Sequence, residues 1–376
     1  MIYFIRVFCL TFILLFSISL PFPLQFIEHP GFLVEDFFVF FEQITCYIFG
    51  LKYKFQGHFY SDSIDLIIHL IFVAFLSILV SSIIWKFKKN IKIDLLLTTV
   101  SSYILSFFLI KYGFDKVFKM QFYAPEPNIL YTPFGQLDKD ILYWSTIGKS
   151  YSYNLFLGII EIIPGILLLH KKTRKLGAFI SFGILINVLM VNISYQIEVK
   201  ILSSFLVFLS LCILLSYWKE IFLFFKQEKN VEIKNHESFE MPIRLKRFLK
   251  FIIVFYIFFE SIFLAFSTGN FNDDLDKRPK FHGAYKIQNS SISISKLFHV
   301  KSKIKRFFVH RRYYFIIQTE DDQFHDYPIH IKEHLNYIVI DSPQKMKIHF
   351  KKSRNSYFIK LETNKDTIEF QAIKLQ

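Results

Sequence analysis

Ionisable and amide side chains inside long apolar runs are where this sequence could do chemistry. Glu161 lies nine residues into the run that begins near Ser152, about 13 Å deep at 1.5 Å per residue. Glu260 sits at a comparable depth in the last run, His69 near one end of the second, and Asn187 and Asn192 in the fifth. A carboxyl in hydrocarbon is costly to ionise and is a functional-site candidate by default. It can relay a proton, hold a quinone carbonyl, or bond one helix to another for about 0.6–2 kcal/mol. Near the end of the third run stand Lys111-Tyr112-Gly113-Phe114-Asp115-Lys116 and then Gln121-Phe122. Lys116, Lys119 and Gln121 are expected to converge with Glu161. In that reading Glu161 is the buried acid, with Lys116 and Lys200 as its electrostatic partners. Tyr112, Trp144 and Tyr153 form an aromatic wall, and Gln121 and Asn192 complete a ligand site.

Apolar runs must position these groups, and the chain is rich in them. Of 376 residues 53% are hydrophobic, with 49 Phe and 20 Tyr, and the mean hydropathy is +0.35. A soluble domain has roughly 45–50% apolar residues, so a purely soluble enzyme is disfavoured and a disordered chain is excluded. Crossing a bilayer takes about 20 mostly apolar residues. Seven stretches qualify: 2–20, 65–85, 94–111, 152–169, 176–193, 201–217 and 249–267. A signal peptide is the competing reading of the first, but no small-x-small cleavage site follows in Ser19-Leu20-Pro21-Phe22-Pro23. Three loops, 86–92, 170–175 and 218–250, hold 16 basic residues, whereas the alternate loops 21–64, 113–150 and 194–200 hold 7. The positive-inside rule then predicts a cytoplasmic N-terminus and an extracytoplasmic chain after about Ser267.

Two of the predicted outer segments are unusual. Gly31–Gly50 mixes Phe with Glu35, Asp36 and Glu42 at helical spacing, which suits a surface or bundle-capping helix. The loop 113–150, with Pro125, Pro127 and Pro133, is long enough to be a lid or binding segment.

Beyond Gly269 the pattern alternates. Met346, Ile348 and Phe350 share one face of a period-two stretch, and Asn355, Asn364-Lys365-Asp366 and Asp341-Ser342-Pro343 mark turns. Six to eight antiparallel strands are predicted, hence a small barrel or sandwich. With Phe307, Tyr313, Phe315, Phe350, Phe358 and Phe370 available, its interior is expected to be filled rather than hollow. This tail carries a net +8 of the chain's +14. Placed outside the cytoplasm, that charge suits anionic lipid, an acidic partner or plain solvation, and not nucleic acid. Its seven His residues include His325, His330 and His334 and show no zinc-site spacing, so no metal is expected. Three Cys with no C-x-x-C pair give neither a disulfide framework nor a thiolate cluster.

The run Leu109-Ile110-Lys111-Tyr112-Gly113-Phe114-Asp115-Lys116 resembles the end of the first helix in the DoxX family of four-helix bacterial membrane proteins. Gly158-Ile159-Ile160-Glu161-Ile162-Ile163-Pro164-Gly165-Ile166-Leu167-Leu168-Leu169 resembles its G-x-x-E-x-x-x-G-x-L-L-L second helix. Lys172-Thr173-Arg174-Lys175-Leu176-Gly177-Ala178 is similar to the basic turn that opens its third helix. The likeness covers residues 98–218. A longer subgroup adds Q-F-x-x-P, here Gln121 to Pro125, and W-x-x-x-G-x-S-x-x-Y, here Trp144, Gly148, Ser150 and Tyr153. Its Y-D-V-P-V-K turn reads Tyr195-Gln196-Ile197-Glu198-Val199-Lys200, without the Asp and the Pro. His282-Gly283-x-Tyr285 resembles the opening of the subgroup's lipocalin-like ending.

Spans, strands and resemblance together lead to the expectation of a bacterial inner-membrane protein: a membrane all-α bundle of about seven transmembrane helices with a DoxX-like four-helix core, followed by an extracytoplasmic antiparallel β barrel or sandwich. The expected segments are N-terminal helices over 1–92, the bundle over 93–218, a basic loop over 219–248, a last helix over 249–267 and the β domain over 268–376. The resemblance also implies an accessory or quinone-proximal subunit of a membrane redox or envelope complex, with quinone as the only cofactor suggested. No flavin, haem or iron–sulfur pattern is present, so catalysis by this chain alone is not expected. The other reading is a membrane-anchored module without enzymatic activity, whose β domain captures a lipid, peptide or partner protein.

Overall fold

A computed structural model describes residues 2–19, 31–48, 50, 53, 61–87, 92–226, 242–269, 271, 278–288, 292–332, 336–341, 345–354, 356–364 and 366–375. The long helices are α1 (Ile2–Ser19), α2 (Gly31–Ile48), α3 (Ile64–Phe87), α4 (Ile93–Val117), α7 (Tyr151–Leu168), α8 (Arg174–Ser194), α9 (Lys200–Ser216) and α11 (Ile243–Thr268). Shorter ones are α5 (Pro127–Leu130), α6 (Lys139–Lys149), α10 (Trp218–Phe225) and α12 (Ile292–Leu297). Six of them are long and apolar enough to cross a membrane: α1, α3, α4, α7, α8 and α11. The seventh predicted span is α9, a helix of 17 residues. Six such helices support a membrane location.

The chain divides into two compact units. One comprises Met1–Gln121 with Tyr151–Asn272, the other Phe122–Ser150 with Asp273–Gln376.

In the helical unit, small residues set the packing of α4 against α7. A side chain at Gly158 would begin 2.5 Å from the carbonyl oxygen of Gly113, and one at Gly113 2.9 Å from that of Gly158. The two backbones therefore touch, as close-packed membrane helices do where Gly replaces bulk. Ser106 Oγ donates to the Gly165 carbonyl at 2.7 Å across the same interface. Contacts at the helix ends are ionic. Arg6 pairs with Asp94, and Asp62 accepts from the Lys200 and Ile201 amides at 2.8 and 2.9 Å. The last two bonds satisfy amides that the first turn of α9 leaves unpaired.

The second unit is a closed antiparallel barrel of β1 (Gly283–Ile287), β2 (Ile304–His310), β3 (Tyr314–Thr319), β4 (Phe324–Lys332), β5 (Tyr337–Ile340), β6 (Met346–Lys352), β7 (Tyr357–Thr363) and β8 (Thr367–Lys374), each paired with the next and β8 with β1. Closure leaves no open sheet edge. The register puts apolar partners opposite each other inside: Tyr285 with Phe307, Val309 with Phe315, Ile338 with Ile348, and Phe350 with Ile359. Ile294, Leu297 and Phe298 of α12 and its exit join this core. The interior is filled, with Phe307, Phe315, Phe350 and Phe370 among its residues as predicted, but Tyr313 and Phe358 face outward. Outside, Ala284, Phe308 and Ile316 form a second small apolar patch, against which Tyr131 packs.

Candidate functional site

Asn154, Gly158, Glu161, Gly165 and Leu168 recur at intervals of three and four, so α7 presents them on one face, and all five are buried. The glycines at 158 and 165 let α4 approach closely enough for a side chain to reach the glutamate between them. Lys116 Nζ donates to Glu161 Oε2 at 2.7 Å, with both side chains less than a tenth exposed. One turn earlier, Lys111 Nζ donates to Asp115 Oδ1 at 2.6 Å. Two cations and two anions thus cancel inside the bundle, and burial of this kind is tolerated only with such pairing. Lys116 Nζ also stands 5.9 Å from the centre of the Tyr112 ring.

At the end of α4 the chain turns sharply. Lys119 is buried with φ at 55°, and the amides of Met120 and Gln121 both donate to the Asp115 carbonyl. Gln121 Oε1 is buried with no hydrogen-bond partner among the described residues.

The remaining expected site residues go elsewhere. Lys200, predicted as a partner of Glu161, bonds Asp62 at 3.1 Å. Its place at the start of α9, beside the carboxylate that caps that helix, decides the pairing. Tyr153 faces outward at 47% exposure and stacks on Phe156, because Asn154, two turns before Glu161, takes the inward position. Trp144 belongs to the barrel unit, where it packs on Phe122 with ring centres 4.8 Å apart. Asn192 is buried near the end of α8, and its carbonyl accepts the Ile197 amide. Glu198, in the turn between α8 and α9, is exposed.

A polar cluster that sequence reasoning missed ties the segment after α4 to the barrel. Glu126, at the start of α5, accepts from Arg311 Nε and from the Arg311 amide at 3.3 Å. It also accepts from His282 Nε2 at 3.0 Å, and His310 Nε2 lies 3.6 Å away. Burial alone would push the Glu126 carboxyl up, but the His282 bond and the charges of Arg311 and His310 together outweigh it and hold it at about 2. Burial keeps His310 below its usual range despite that carboxylate. Gln318 Nε2 donates to the Tyr131 carbonyl at 3.1 Å, and Arg306 stacks over the Tyr131 ring. The residues come from positions about 155 to 185 apart, so no local motif announces them.

Among known proteins, the chain is similar to the uncharacterized protein YwoB of Bacillus subtilis strain 168, with 35% identity over 85 residues. The match covers 23% of this chain and 55% of YwoB, so the chain spans about half the length of that relative. No family model and no solved structure matches the chain.

Proposed function

We propose that the chain is a DoxX-like accessory subunit of a membrane redox or envelope complex, in which the bundle holds the head group of a quinone beside Lys116 and Glu161. The observation that carries this reading is the buried, hydrogen-bonded Lys116–Glu161 pair at a glycine-lined helix contact. The donor chemistry fits a quinone. Lys116 is a donor suited to a quinone carbonyl, and the buried Gln121 Oε1, in the turn after that helix, is an acceptor suited to a quinol hydroxyl. A bound quinone would supply two-electron, two-proton redox capacity. The chain's own part is to donate to a carbonyl from Lys116, to keep Glu161 ready to exchange a proton with that ammonium, and to exclude water by the apolar packing around both.

In this reading the N-terminus is cytoplasmic and the barrel extracytoplasmic. The Lys- and Arg-rich loops support that orientation. The pairing of helix ends fits alternating spans, since Arg6–Asp94 joins the starts of α1 and α4 while Asp62–Lys200 joins the starts of α3 and α9. A filled barrel favours docking of a partner over capture of a small ligand, and this is the observation behind a second reading as a binding module.

Purification in mild detergent, followed by lipid extraction and mass spectrometry, separates the two. Quinone retained by the wild type and lost from Glu161→Gln upholds the bundle site. Quinone absent from both, with a partner protein or lipid lost on deleting 270–376, overturns it in favour of the binding module.

A further inference from the structure

Three helices of the first unit meet in a Ser–His–Glu chain separate from the Lys116–Glu161 pair. His69 of α3 has Nδ1 2.5 Å from Glu42 Oε1 of α2 and Nε2 2.6 Å from Ser19 Oγ of α1. His69 and Glu42 are fully buried, and Ser19 is 2% exposed. The buried rings of Phe16 and Phe38 pack against the imidazole, with centres 6.2 and 5.0 Å away. Asp65, one turn before His69, accepts from Tyr53, and the acid in contact with the imidazole Nδ1 is Glu42. The second oxygen of Glu42 is buried with no hydrogen-bond partner among the described residues. Ser19 Oγ also lies 2.8 Å from the Leu15 carbonyl and 3.2 Å from that of Phe16, so its hydrogen has three acceptors, and donation to His69 is the productive one.

We propose that Ser19, His69 and Glu42 form a nucleophilic site for acyl esters of membrane lipids. A nucleophile hydrogen-bonded to a base, with that base oriented by a third group, is the arrangement that activates a serine. Its depth selects the substrate class. Ser19 is the last residue of α1, and His69 is about 8 Å along α3 from its start at 1.5 Å per residue. That places the site near the edge of the hydrocarbon layer, where glycerolipid esters lie and free water is scarce. Ser19 Oγ attacks the ester carbonyl carbon as its proton passes to His69 Nε2. The bond from that carbon to the alcohol oxygen breaks, and the alcohol leaves with the same proton. Water, deprotonated by His69, then attacks the acyl-Ser19 ester, releasing the fatty acid and restoring the hydroxyl. Glu42 is a positioning residue: it holds the imidazole and balances the imidazolium charge.

The test uses the full chain reconstituted in vesicles of equal parts phosphatidylethanolamine and phosphatidylglycerol. A fluorophosphonate probe is expected to add to Ser19, located by peptide mass spectrometry, and free fatty acid to accumulate. His69→Ala should slow labelling by about a thousandfold and Glu42→Gln by at least about tenfold, with both variants still eluting as folded protein. Ser19→Ala should abolish the adduct and the release. Ser19→Cys, which keeps the size of the side chain and resists the probe, reports whether the helix contact survives. A folded wild type without an adduct on Ser19, or an adduct indifferent to His69→Ala, overturns the nucleophile. An adduct without fatty acid release overturns the lipid ester as substrate.

Discussion

The two units sort the same kinds of residue in opposite directions. Along α7 Phe156, Ile159, Ile163 and Ile166 are exposed, with Tyr151 and Tyr153 at its start, whereas Asn154, Gly158 and Glu161 are buried. In the barrel Phe307, Phe315 and Phe350 fill the interior, and Lys286, Lys347 and Lys351 point out. Water drives the second arrangement by expelling apolar surface. Lipid tails exert no such drive between helices, so the bundle coheres through close backbone approach and buried polar bonds. A buried charge therefore means different things in each unit. In the bundle it is part of the adhesive and a candidate for chemistry, while in the barrel unit the Glu126 cluster fastens a distant chain segment.

The largest expected effect tests the barrel half of this contrast. Phe307→Ala removes a ring stacked on Tyr285 with centres 4.8 Å apart and should cost about 3–5 kcal/mol. Phe156→Ala, an equally large deletion on the outer face of α7, should stay within about 0.5 kcal/mol. Hydrogen exchange of peptides from each unit, measured by mass spectrometry in detergent, reads both. Equal costs would break the comparison.

Next comes the bundle. Lys116→Ala leaves Glu161 buried without its cation and should cost about 3 kcal/mol. The double change Lys116→Met with Glu161→Leu should recover most of that loss, because lipid-facing bundles accept apolar pairs of similar volume. Thermal midpoints in detergent decide it. If the double variant is as weak as the single one, the pair contributes more than mutual neutralisation.

Acid should act on the barrel unit instead. Glu126 falls from an ordinary 4.5 to about 2 in the folded chain. A depressed carboxyl gives stability that is complete above its unfolded value and lost as pH falls through its folded value. The window is therefore about pH 4.5 down to 2, and the linked stability is about 3 kcal/mol. Exchange protection of peptides 122–150 and 304–319 should drop together in that window, and Glu126→Gln should flatten the response. A drop confined to one of the two segments would show that the cluster does not bind them into one unit.

What the residues disclosed in advance follows the same division. Spans and strands repeat at short range, so hydropathy and alternation reveal them. The Lys116–Glu161 pairing was also legible, because Gly158, Glu161 and Gly165 share one helical face and Lys116 ends the neighbouring helix. Asp62, Glu126, Glu42 and Ser19 were not. Each meets its partner through tertiary packing across at least 27 residues, and a lone acidic or hydroxyl residue near a helix end carries no periodic signal. Lys200 shows how a local competitor overrides expectation. Asp62 stands at its helix start and captures both its amide and its ammonium.

The smallest predicted effect bears on Gln196, in the turn between α8 and α9. That residue is exposed and has φ at 57°, a left-handed conformation that Asp and Asn adopt more readily than Gln, and Gly more readily still. The position therefore asks for backbone compatibility before chemistry. Gln196→Asn and Gln196→Asp should each stabilise the chain by about 0.5 kcal/mol, and Gln196→Gly by a similar amount after its entropic cost. If conformation is the whole role, the three variants shift the thermal midpoint alike and leave retained quinone unchanged. A gain in quinone retention seen with Gln196→Asp alone would give that carboxylate a chemical duty and draw the turn into the bundle site with Glu161.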